Sequence, residues 1–169
     1  MPPEIVTALR PVAPRDHAAL ATLRKDVDLQ KMLLGARDII EEPVGEWLDR
    51  RDADGWIRSI VDGKDSCLGY VQLSDIHRNN RTAWFGICLL PDVRGRGHGM
   101  TATMQTLEIG RKEMGLRKVS LKVRADNPAC RLYKRIGFRL VGTQRAEYDD
   151  GKTLHDVTIM EFIFSEHGN

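Results

Sequence analysis

The stretch Arg94-Gly95-Arg96-Gly97-His98-Gly99 decides the fold of this chain, because it joins an apolar run to a helical pattern. The run Trp84-Phe85-Gly86-Ile87-Cys88-Leu89-Leu90-Pro91 precedes it, and residues 101–113 have the periodicity of a helix. A glycine turn between a strand and a helix leaves unpaired backbone N–H groups beside the positive end of the helix dipole. The stretch therefore predicts an anion site suited to a diphosphate, with glycines for close approach and arginines for charge.

Two other interpretations of this turn are open at this point. It can be an ordinary strand-to-helix turn that needs glycine only for its dihedral angles. Gly97-His98-Gly99-Met100-Thr101-Ala102 also fits the looser dinucleotide fingerprint G-x-G-x-x-A. That fold has its fingerprint in the first of several strand–helix–strand units, whereas at least two strand-like segments precede this turn. The position of the turn therefore argues against a nicotinamide cofactor.

Length, composition and charge are those of an ordinary globular chain. With 169 residues, of which 41% are hydrophobic and 30% charged, we expect a single domain over residues 1–169. The net charge of +2 gives no strong field toward nucleic acid or acidic lipid, so we expect neither as a partner. No segment approaches the roughly 20 apolar residues of a membrane span, and residues 1–4 do not begin a secretory signal.

The three cysteines bear on the compartment and on metal binding. Cys67, Cys88 and Cys130 have neither a metal-ligand spacing nor a redox spacing. An odd number of cysteines without a disulfide framework is typical of a reduced environment. We therefore expect a cytoplasmic protein without a metal site.

Apolar periodicity predicts one strand, two or three helices, three antiparallel strands, and then helix, strand, helix and two strands. The predicted strands are 5–11, 55–61, 67–73, 82–90, 118–123, 138–148 and 153–164, and the predicted helices begin near 14, 28, 42, 101 and 128. We expect the strand 82–90 to be central and buried, and Met104, Leu107 and Met114 to form the apolar stripe of the helix 101–113. The predicted fold class is α/β (α+β mixed), with a central mixed, mostly antiparallel sheet of six to seven strands flanked by helices.

Two motifs in this order resemble the GCN5-related N-acetyltransferase (GNAT) family. Residues 94–99 match its signature Gln/Arg-x-x-Gly-x-Gly/Ala after the fourth strand. The segment Asn127-Pro128-Ala129-Cys130-Arg131-Leu132-Tyr133-Lys134-Arg135-Ile136-Gly137-Phe138 resembles the family's element on the helix after the fifth strand. The resemblance extends over about residues 5–164 and implies the acetyltransferase fold.

The resemblance also implies a cofactor, acetyl-coenzyme A, and the residues that would bind it. Backbone N–H groups of Arg94, Gly95, Arg96, Gly97, His98 and Gly99 would hold the pyrophosphate. The pantetheine arm would lie along Ile87, Cys88 and Leu89, where the fourth strand separates from the fifth. Asn127 would hydrogen-bond the pantetheine, although a plain helix N-cap before Pro128 explains it equally well and it can serve both purposes.

The implied reaction is direct attack of a primary amine on the thioester, through a tetrahedral oxyanion that backbone N–H groups stabilise. The resemblance makes Tyr133 the acid that protonates the leaving thiolate, and the alternative is an ordinary core tyrosine. Cys130 is not expected to be a covalent nucleophile, because no activated Cys–His pair is visible in the sequence.

A general base is not evident in the sequence. Many relatives carry a glutamate near the start of the fourth strand, where this chain has Trp84 and then Gly86. The remaining candidates would act through water, beside an ordered water chain or a partly neutral substrate; they are Asp75, His77, Glu147 and Asp156.

The acceptor is expected to be a small molecule, such as an amino sugar, a sugar-nucleotide amine or a polyamine. Residues 29–35 and 47–56 would shape its pocket, and acidic residues that could attract a polyamine are Asp28, Asp38, Glu41 and Glu42. The alternatives are a protein N-terminal (ribosomal-protein-type) acetyltransferase and a non-catalytic acyl-coenzyme A-binding module, which the missing carboxylate slightly favours. A homodimer is also considered, because exposed sheet edges often pair.

Overall fold

The computed structural model describes residues 5–35 and 41–165. Its strands are β1 (Ala8–Arg10), β2 (Trp56–Val61), β3 (Cys67–His77), β4 (Thr82–Leu89), β5 (Lys118–Arg124), β6 (Arg139–Asp149) and β7 (Leu154–Ile163). Its helices are α1 (His17–Lys25), α2 (Val27–Met32), α3 (Val44–Asp54), α4 (His98–Lys112) and α5 (Ala129–Ile136), with short 3-10 turns before α1 and after β4. The predicted order of strands and helices is confirmed.

All seven strands form one mixed sheet in the order β1-β2-β3-β4-β5-β7-β6. Every neighbouring pair is antiparallel except β4 and β5, which are parallel because α4 connects them. The sheet therefore confirms the predicted fold class, and β4 lies in its middle as predicted. The glycine turn follows β4, directly at the one parallel junction.

Two apolar clusters cover the two faces of the sheet. Phe85 of β4 belongs to the larger cluster, which also contains Leu107 of α4 and Tyr133 of α5. Cys88, on the opposite side of β4, belongs to the smaller cluster under α1, α2 and α3. The strand is therefore covered on both faces, although Gly86 and Ile87 in its middle are only half-buried.

Three details of the predicted elements differ in the structure. Helix α4 begins at His98 rather than Thr101, because Gly97 adopts a left-handed conformation at its N-cap. Met104 was wrong as a core residue, since it is 55% exposed while Ala102 and Leu107 are buried. Strand β3 extends past residue 73, because it pairs with β4 across a bulge as far as His77 opposite Thr82.

A buried carboxylate ties the first strand to the rest of the sheet. Asp16 is 1% exposed and accepts hydrogen bonds from Arg10 Nη1 (2.7 Å) and Nη2 (2.9 Å). Its Oδ2 also accepts from the Ala13 N–H (2.9 Å) and from Ser59 Oγ of β2 (2.7 Å). Asp16 therefore joins β1, the turn before α1 and β2 through one group.

The described residues give two observations on membrane crossing and on the state of the cysteines. Within residues 5–35 and 41–165, no helix has both the length and the apolar character that crossing a membrane requires. Cys67, Cys88 and Cys130 are free thiols. The expectations for residues 1–4 and for Asp38 lie outside the described residues.

Candidate active site

The glycine turn presents a row of backbone amides in front of α4. Gly95 and Gly97 have φ angles of +74° and +91°, in the region that favours glycine. No heavy atom lies within 4 Å of a Cβ built at either position, so the space beside the turn is open. The amide of Arg94 donates to Pro91 O (3.3 Å), and the next recorded donor is Thr101, which bonds Gly97 O (3.1 Å).

The amides of residues 95–100 therefore have no recorded acceptor in the described part of the chain. We call these amides the cradle. They lie at the positive end of the 15-residue helix α4, so that the helix dipole and the N–H groups both favour an anion there.

The basic side chains of the turn point in different directions. Arg94 donates from Nε (3.1 Å) and Nη2 (2.8 Å) to Leu89 O, the last carbonyl of β4. The ring of His98 is buried, with Nδ1 2.8 Å from Thr7 Oγ1. Arg96 is exposed and has no recorded contact among the described residues. Arg94 and His98 thus fix the turn, and Arg96 is the side chain left to add charge to the cradle.

Strands β4 and β5 separate soon after they begin. Their parallel ladder pairs only Thr82 with Lys118, Ala83 with Val119 and Trp84 with Ser120. Beyond this point β4 continues to pair with β3, and β5 continues to pair with β7. The second half of each strand therefore borders an opening in the middle of the sheet.

Alternation along β4 decides which backbone groups face this opening. The N–H of Leu90 donates to Leu68 O of β3 (2.8 Å). Because alternate residues of a strand direct their N–H and C=O to opposite edges, Gly86 and Cys88 also face β3. Ile87 and Leu89 then face the opening, where Leu89 O already accepts from Arg94. Within the predicted pantetheine segment, Ile87 and the Leu89 amide are the groups available to a ligand.

A cavity of about 490 Å³ occupies this opening and extends beneath the end of α2. Tyr133, Asn127 and Ile87, three of the predicted site residues, line it together. Its other walls come from α2 and the segment after it, α3, β3, β4 and β5: Gln30, Met32, Leu33, Leu34, Gly35, Arg51, Tyr70, Gln72, Asp75, Trp84, Phe85, Gly86, Leu121, Lys122 and Val123.

Tyr133 is held on the cavity wall by aromatic neighbours. Its ring makes edge contacts with Phe85 and Phe138, with centroids 6.4 Å and 5.7 Å apart. The side chain is 7% exposed, and no hydrogen bond of its hydroxyl is recorded among the described residues. Burial raises the pKa of Tyr133 well above its usual range, so the phenol keeps its proton at neutral pH. The hydroxyl is therefore a proton donor without a recorded partner among the residues that the structure describes.

Asn127 caps α5 and contacts the segment that covers the cavity. Its Oδ1 accepts from the Ala129 N–H (2.9 Å), and its Nδ2 donates to Met32 O (3.5 Å). Tyr148 Oη donates to Gly35 O (3.0 Å) from the last hairpin. The predicted N-cap role is thus present in the structure, and the same side chain helps to hold the end of α2 over the opening.

Asp75 is the one carboxylate among the described residues that line the cavity. It follows Ser74, which pairs with Trp84, at a bulge in β3. Its φ of +48° is unusual for a residue other than glycine. Asp75 therefore lies one residue beyond the partner of Trp84. Trp84 is the position at which the sequence lacks the carboxylate that the resemblance led us to expect.

The other three predicted base candidates lie elsewhere. His77 Nδ1 accepts from the Asn80 N–H (3.0 Å) in the turn after β3. Asp156 Oδ1 accepts from the Ala146 N–H (2.8 Å), and Glu147 is exposed on the same hairpin. None of the three lines the cavity, whose walls are formed by other described residues.

The thiols near the site are unsuited to nucleophilic catalysis. Burial raises the pKa of Cys88 to about 12. Burial also raises the pKa of Cys130, whose Sγ donates to Arg124 O (3.7 Å). These environments agree with the expectation that Cys130 is not a nucleophile.

Sequence reasoning missed Tyr70 and Gln72 as wall residues, and it included Arg51 only as part of a longer segment. Gln72 is a polar residue within the otherwise apolar run of β3, which is a signal that the sequence did contain. Arg51 falls in the segment 47–56 that was expected to shape the pocket, but Trp47 of that segment packs in the core against Tyr70, with ring centroids 5.3 Å apart.

The chain belongs to the GNAT acetyltransferase family, since residues 7–139 match the family described as the acetyltransferase (GNAT) domain. Spermidine N(1)-acetyltransferase of Vibrio cholerae is 29% identical over 111 residues, which are 65% of this chain and 64% of that protein. An uncharacterized N-acetyltransferase of Methanocaldococcus jannaschii is 35% identical over 99 residues, 55% and 42% of the two chains. The chain thus spans less than two thirds of either relative.

Solved structures match over nearly the whole described fold. The crystal structure of spermidine N-acetyltransferase from Vibrio cholerae in complex with CoA and spermine has a TM-score of 0.86 at 23% identity, covering 93% of this chain and 95% of that chain. An acetyltransferase (GNAT family) from Bacillus anthracis has a TM-score of 0.78 at 20% identity, covering 93% and 94%. At these identities the likeness establishes the fold, and the predicted family and fold are confirmed.

Proposed function

We propose that this chain transfers the acetyl group of acetyl-coenzyme A to the primary amine of a small molecule. One observation carries the proposal. The buried Tyr133, whose hydroxyl has no recorded partner among the described residues, lies on a cavity of about 490 Å³ at the opening between β4 and β5. The strand that borders this opening leads into the open cradle, so a donor held at the cradle would extend along β4 toward Tyr133.

The donor would bind along β4. The cradle amides and Arg96 suit its pyrophosphate, because N–H groups at a helix N-terminus stabilise anions. Ile87 and the Leu89 amide would pair with the amide groups of the pantetheine arm, as a further strand pairs with a sheet edge. Asn127 would contact the arm with the hydrogen-bonding capacity that the α5 cap leaves over.

The chemistry needs one proton removed and one supplied. An alkylamine has a pKa of about 10 and must lose a proton before it attacks the thioester. Asp75 is the group that we assign to take this proton, through water, since it is the carboxylate on the described cavity wall. Tyr133 would then donate its proton to the leaving sulfur, since its phenol is protonated at neutral pH.

Three of the four acidic residues that were expected to attract a polyamine give it no support, so we place an amino sugar or a sugar-nucleotide amine first. Glu42 is paired with Arg24 (3.0 Å) and Arg50 (2.5 Å), so its charge is already compensated. Asp28 and Glu41 are exposed and do not line the cavity. A polyamine is the second candidate, because three of the similar proteins are named spermidine N(1)-acetyltransferase.

Free thiol release from acetyl-coenzyme A, measured over a panel of amines, tests the proposal. With a productive amine, we expect Tyr133→Phe to lower kcat by about 100-fold, as removal of a general acid does. The KM for acetyl-coenzyme A should stay within about threefold, because phenylalanine preserves the aromatic contacts. Tyr70→Phe is the matched control, since it removes a second hydroxyl from the same cavity wall without the assigned proton transfer.

The result that would contradict the proposal is equally concrete. A protein that binds acetyl-coenzyme A in calorimetry, yet releases no thiol with any amine, would be the non-catalytic acyl-coenzyme A-binding module. Equal losses of kcat in Tyr133→Phe and Tyr70→Phe would instead show that the cavity wall, rather than proton donation, limits the rate.

A further inference from the structure

Three residues are common to two adjoining cavities. A second cavity of about 310 Å³ lies between α3 and β3, and it shares Arg51, Gln72 and Asp75 with the larger one. These side chains, which include the assigned base Asp75, therefore line the end of the proposed acceptor cavity that lies toward α3.

Arg51 has a guanidinium nitrogen that is buried without a partner. Its Nε has no recorded hydrogen bond, and no ion pair of Arg51 is recorded in the described ranges. The neighbouring Arg50 differs, because it pairs with Glu42 at 2.5 Å. Burying a charged donor without a partner costs free energy, and buried polar groups are normally satisfied by protein, water or a ligand.

Gln72 has a carbonyl oxygen in the same condition. Its Oε1 is buried without a recorded partner among the described residues. Gln72 pairs across the sheet with Gly86, and a Cβ built there would lie 2.9 Å from Gln72 Nε2. Glycine at position 86 thus leaves room for the amide, whose Oε1 stays an unused acceptor on the cavity walls that Arg51 also lines.

The charges of the described wall do not suit a polycation. The ionised side chains that line the larger cavity are Arg51, Lys122 and Asp75, two cations against one anion. Lys122 Nζ lies 5.4 Å from the ring centroid of Trp84, so this cation is held at the wall. A second or third ammonium group in this space would face positive charge, which disfavours binding.

We infer that the acceptor carries an anionic group, a carboxylate or a phosphate, near its reactive amine, and that Arg51 binds this group. The guanidinium fork matches either oxyanion, and Gln72 Oε1 accepts an N–H or O–H of the same acceptor. The amine then faces Asp75 on the same wall. This inference rests on the proposed acetyl transfer and names the class of its acceptor.

Matched pairs of acceptors test the inference. Lysine and cadaverine differ by a carboxylate, glucosamine 6-phosphate and glucosamine differ by a phosphate, and spermidine represents the polycations. We expect the anionic member of at least one pair to have a kcat/KM higher by about 10-fold or more, the range of a hydrogen-bonded charge pair. The pair that shows the preference identifies the anion as carboxylate or phosphate.

Variants at position 51 locate the effect. Arg51→Gln should abolish most of the preference by raising the KM of the anionic member, and Arg51→Lys should restore part of it. Arg111→Gln is the control, because it removes the same charge from an exposed position in the last turn of α4. Arg51 also lies in the last turn of α3, where a cation favours the helix dipole. That structural role alone would lower the melting temperature and affect both members of a pair equally.

The outcomes separate the two proposals. Thiol release that is faster with spermidine or cadaverine than with either anionic amine would overturn the inference and leave acetyl transfer standing. Equal losses for both members of a pair in Arg51→Gln would overturn it as well. No thiol release with any amine would overturn the proposed function, and the inference with it.

Discussion

Gly97 is the residue whose backbone shape matters most to the proposed donor site. Its φ of +91° is strained for any side chain, whereas the space around it is open. We expect Gly97→Ala to cost about 1–2 kcal/mol in the left-handed conformation. If the turn relaxes to avoid this strain, the KM for acetyl-coenzyme A should rise by about 10-fold, equivalent to about 1.4 kcal/mol of binding free energy.

Gly142→Ala provides the matched comparison for that variant. No atom lies within 4 Å of a Cβ built at Gly142, and its φ is not positive. Calorimetric titration of both variants with acetyl-coenzyme A measures their donor affinities. The comparison separates the effect of backbone strain from the effect of losing a flexible glycine. If Gly97→Ala keeps its affinity for acetyl-coenzyme A, the cradle does not belong to the donor site.

At the scale of single residues, the sequence predicted the features that a short local pattern encodes. The glycine turn and Tyr133 could be identified because each belongs to a short motif. That Arg51 and Gln72 line the same two cavities could not be predicted, because it depends on how α3 packs against β3. The inward orientation of His98 was also beyond prediction, since its partner Thr7 is far away in the chain.

At the scale of the elements, β1 has a length of 3 residues, and the hydrogen bonds of Asp16 hold it in place. Burial alone would raise the pKa of Asp16, but the hydrogen bonds from Arg10, Ala13 and Ser59 outweigh it and lower the pKa to about 2. A lowered folded-state pKa stabilises the protein above the unfolded value of 3.8, and this stabilisation is lost as pH falls toward 2.

We expect the free energy of unfolding to differ between wild type and Asp16→Asn by an amount that depends on pH. The wild-type advantage in the free energy of unfolding should be constant from pH 7 to about 5. Between about pH 4 and 2 it should shrink by about 2 kcal/mol, the equivalent of the pKa shift. Urea unfolding across this range measures it, with the exposed Asp52→Asn on α3 as the control. A difference that stays constant with pH would contradict the assignment.

The order of the elements followed from the sequence, whereas several of their ends did not. The parallel pairing of β4 and β5 agrees with the predicted order strand, helix, strand, because a helix that joins neighbouring strands makes them parallel. The start of α4 was wrong because a left-handed N-cap at Gly97 allows the helix to include two further positions of the motif, His98 and Gly99. The end of β3 was wrong because the bulge near Asp75 restores pairing that no local pattern reveals.

Across the whole molecule, the sheet consists of two parts joined by a short seam. Strands β1 to β4 form one part, β5 to β7 the other, and their ladder has three paired positions. A donor in the opening would contact both parts. We therefore expect acetyl-coenzyme A at about 100 times its Kd to stabilise the fold by about 2.7 kcal/mol, which for a chain of this size raises Tm by roughly 5–10 °C.

Hydrogen exchange locates this stabilisation. Amides of residues 85–89 and 121–124 should gain protection together, since they border the same opening. Tyr133→Phe should keep the rise in Tm, while Gly97→Ala should reduce it. Protection confined to residues 95–100 would mean that the donor leaves the seam unchanged. The homodimer and the cytoplasmic setting considered from the sequence stay predictions.

The short ladder between β4 and β5 also has a consequence for the protein in the cell. If acetyl-coenzyme A binds in the opening as proposed, it adds contacts between two halves that share three paired backbone positions. Proteases that attack transiently opened chains would then remove the protein fastest when nutrients, and with them activated acetyl groups, run low. The supply of the donor would set the enzyme's abundance as well as its rate.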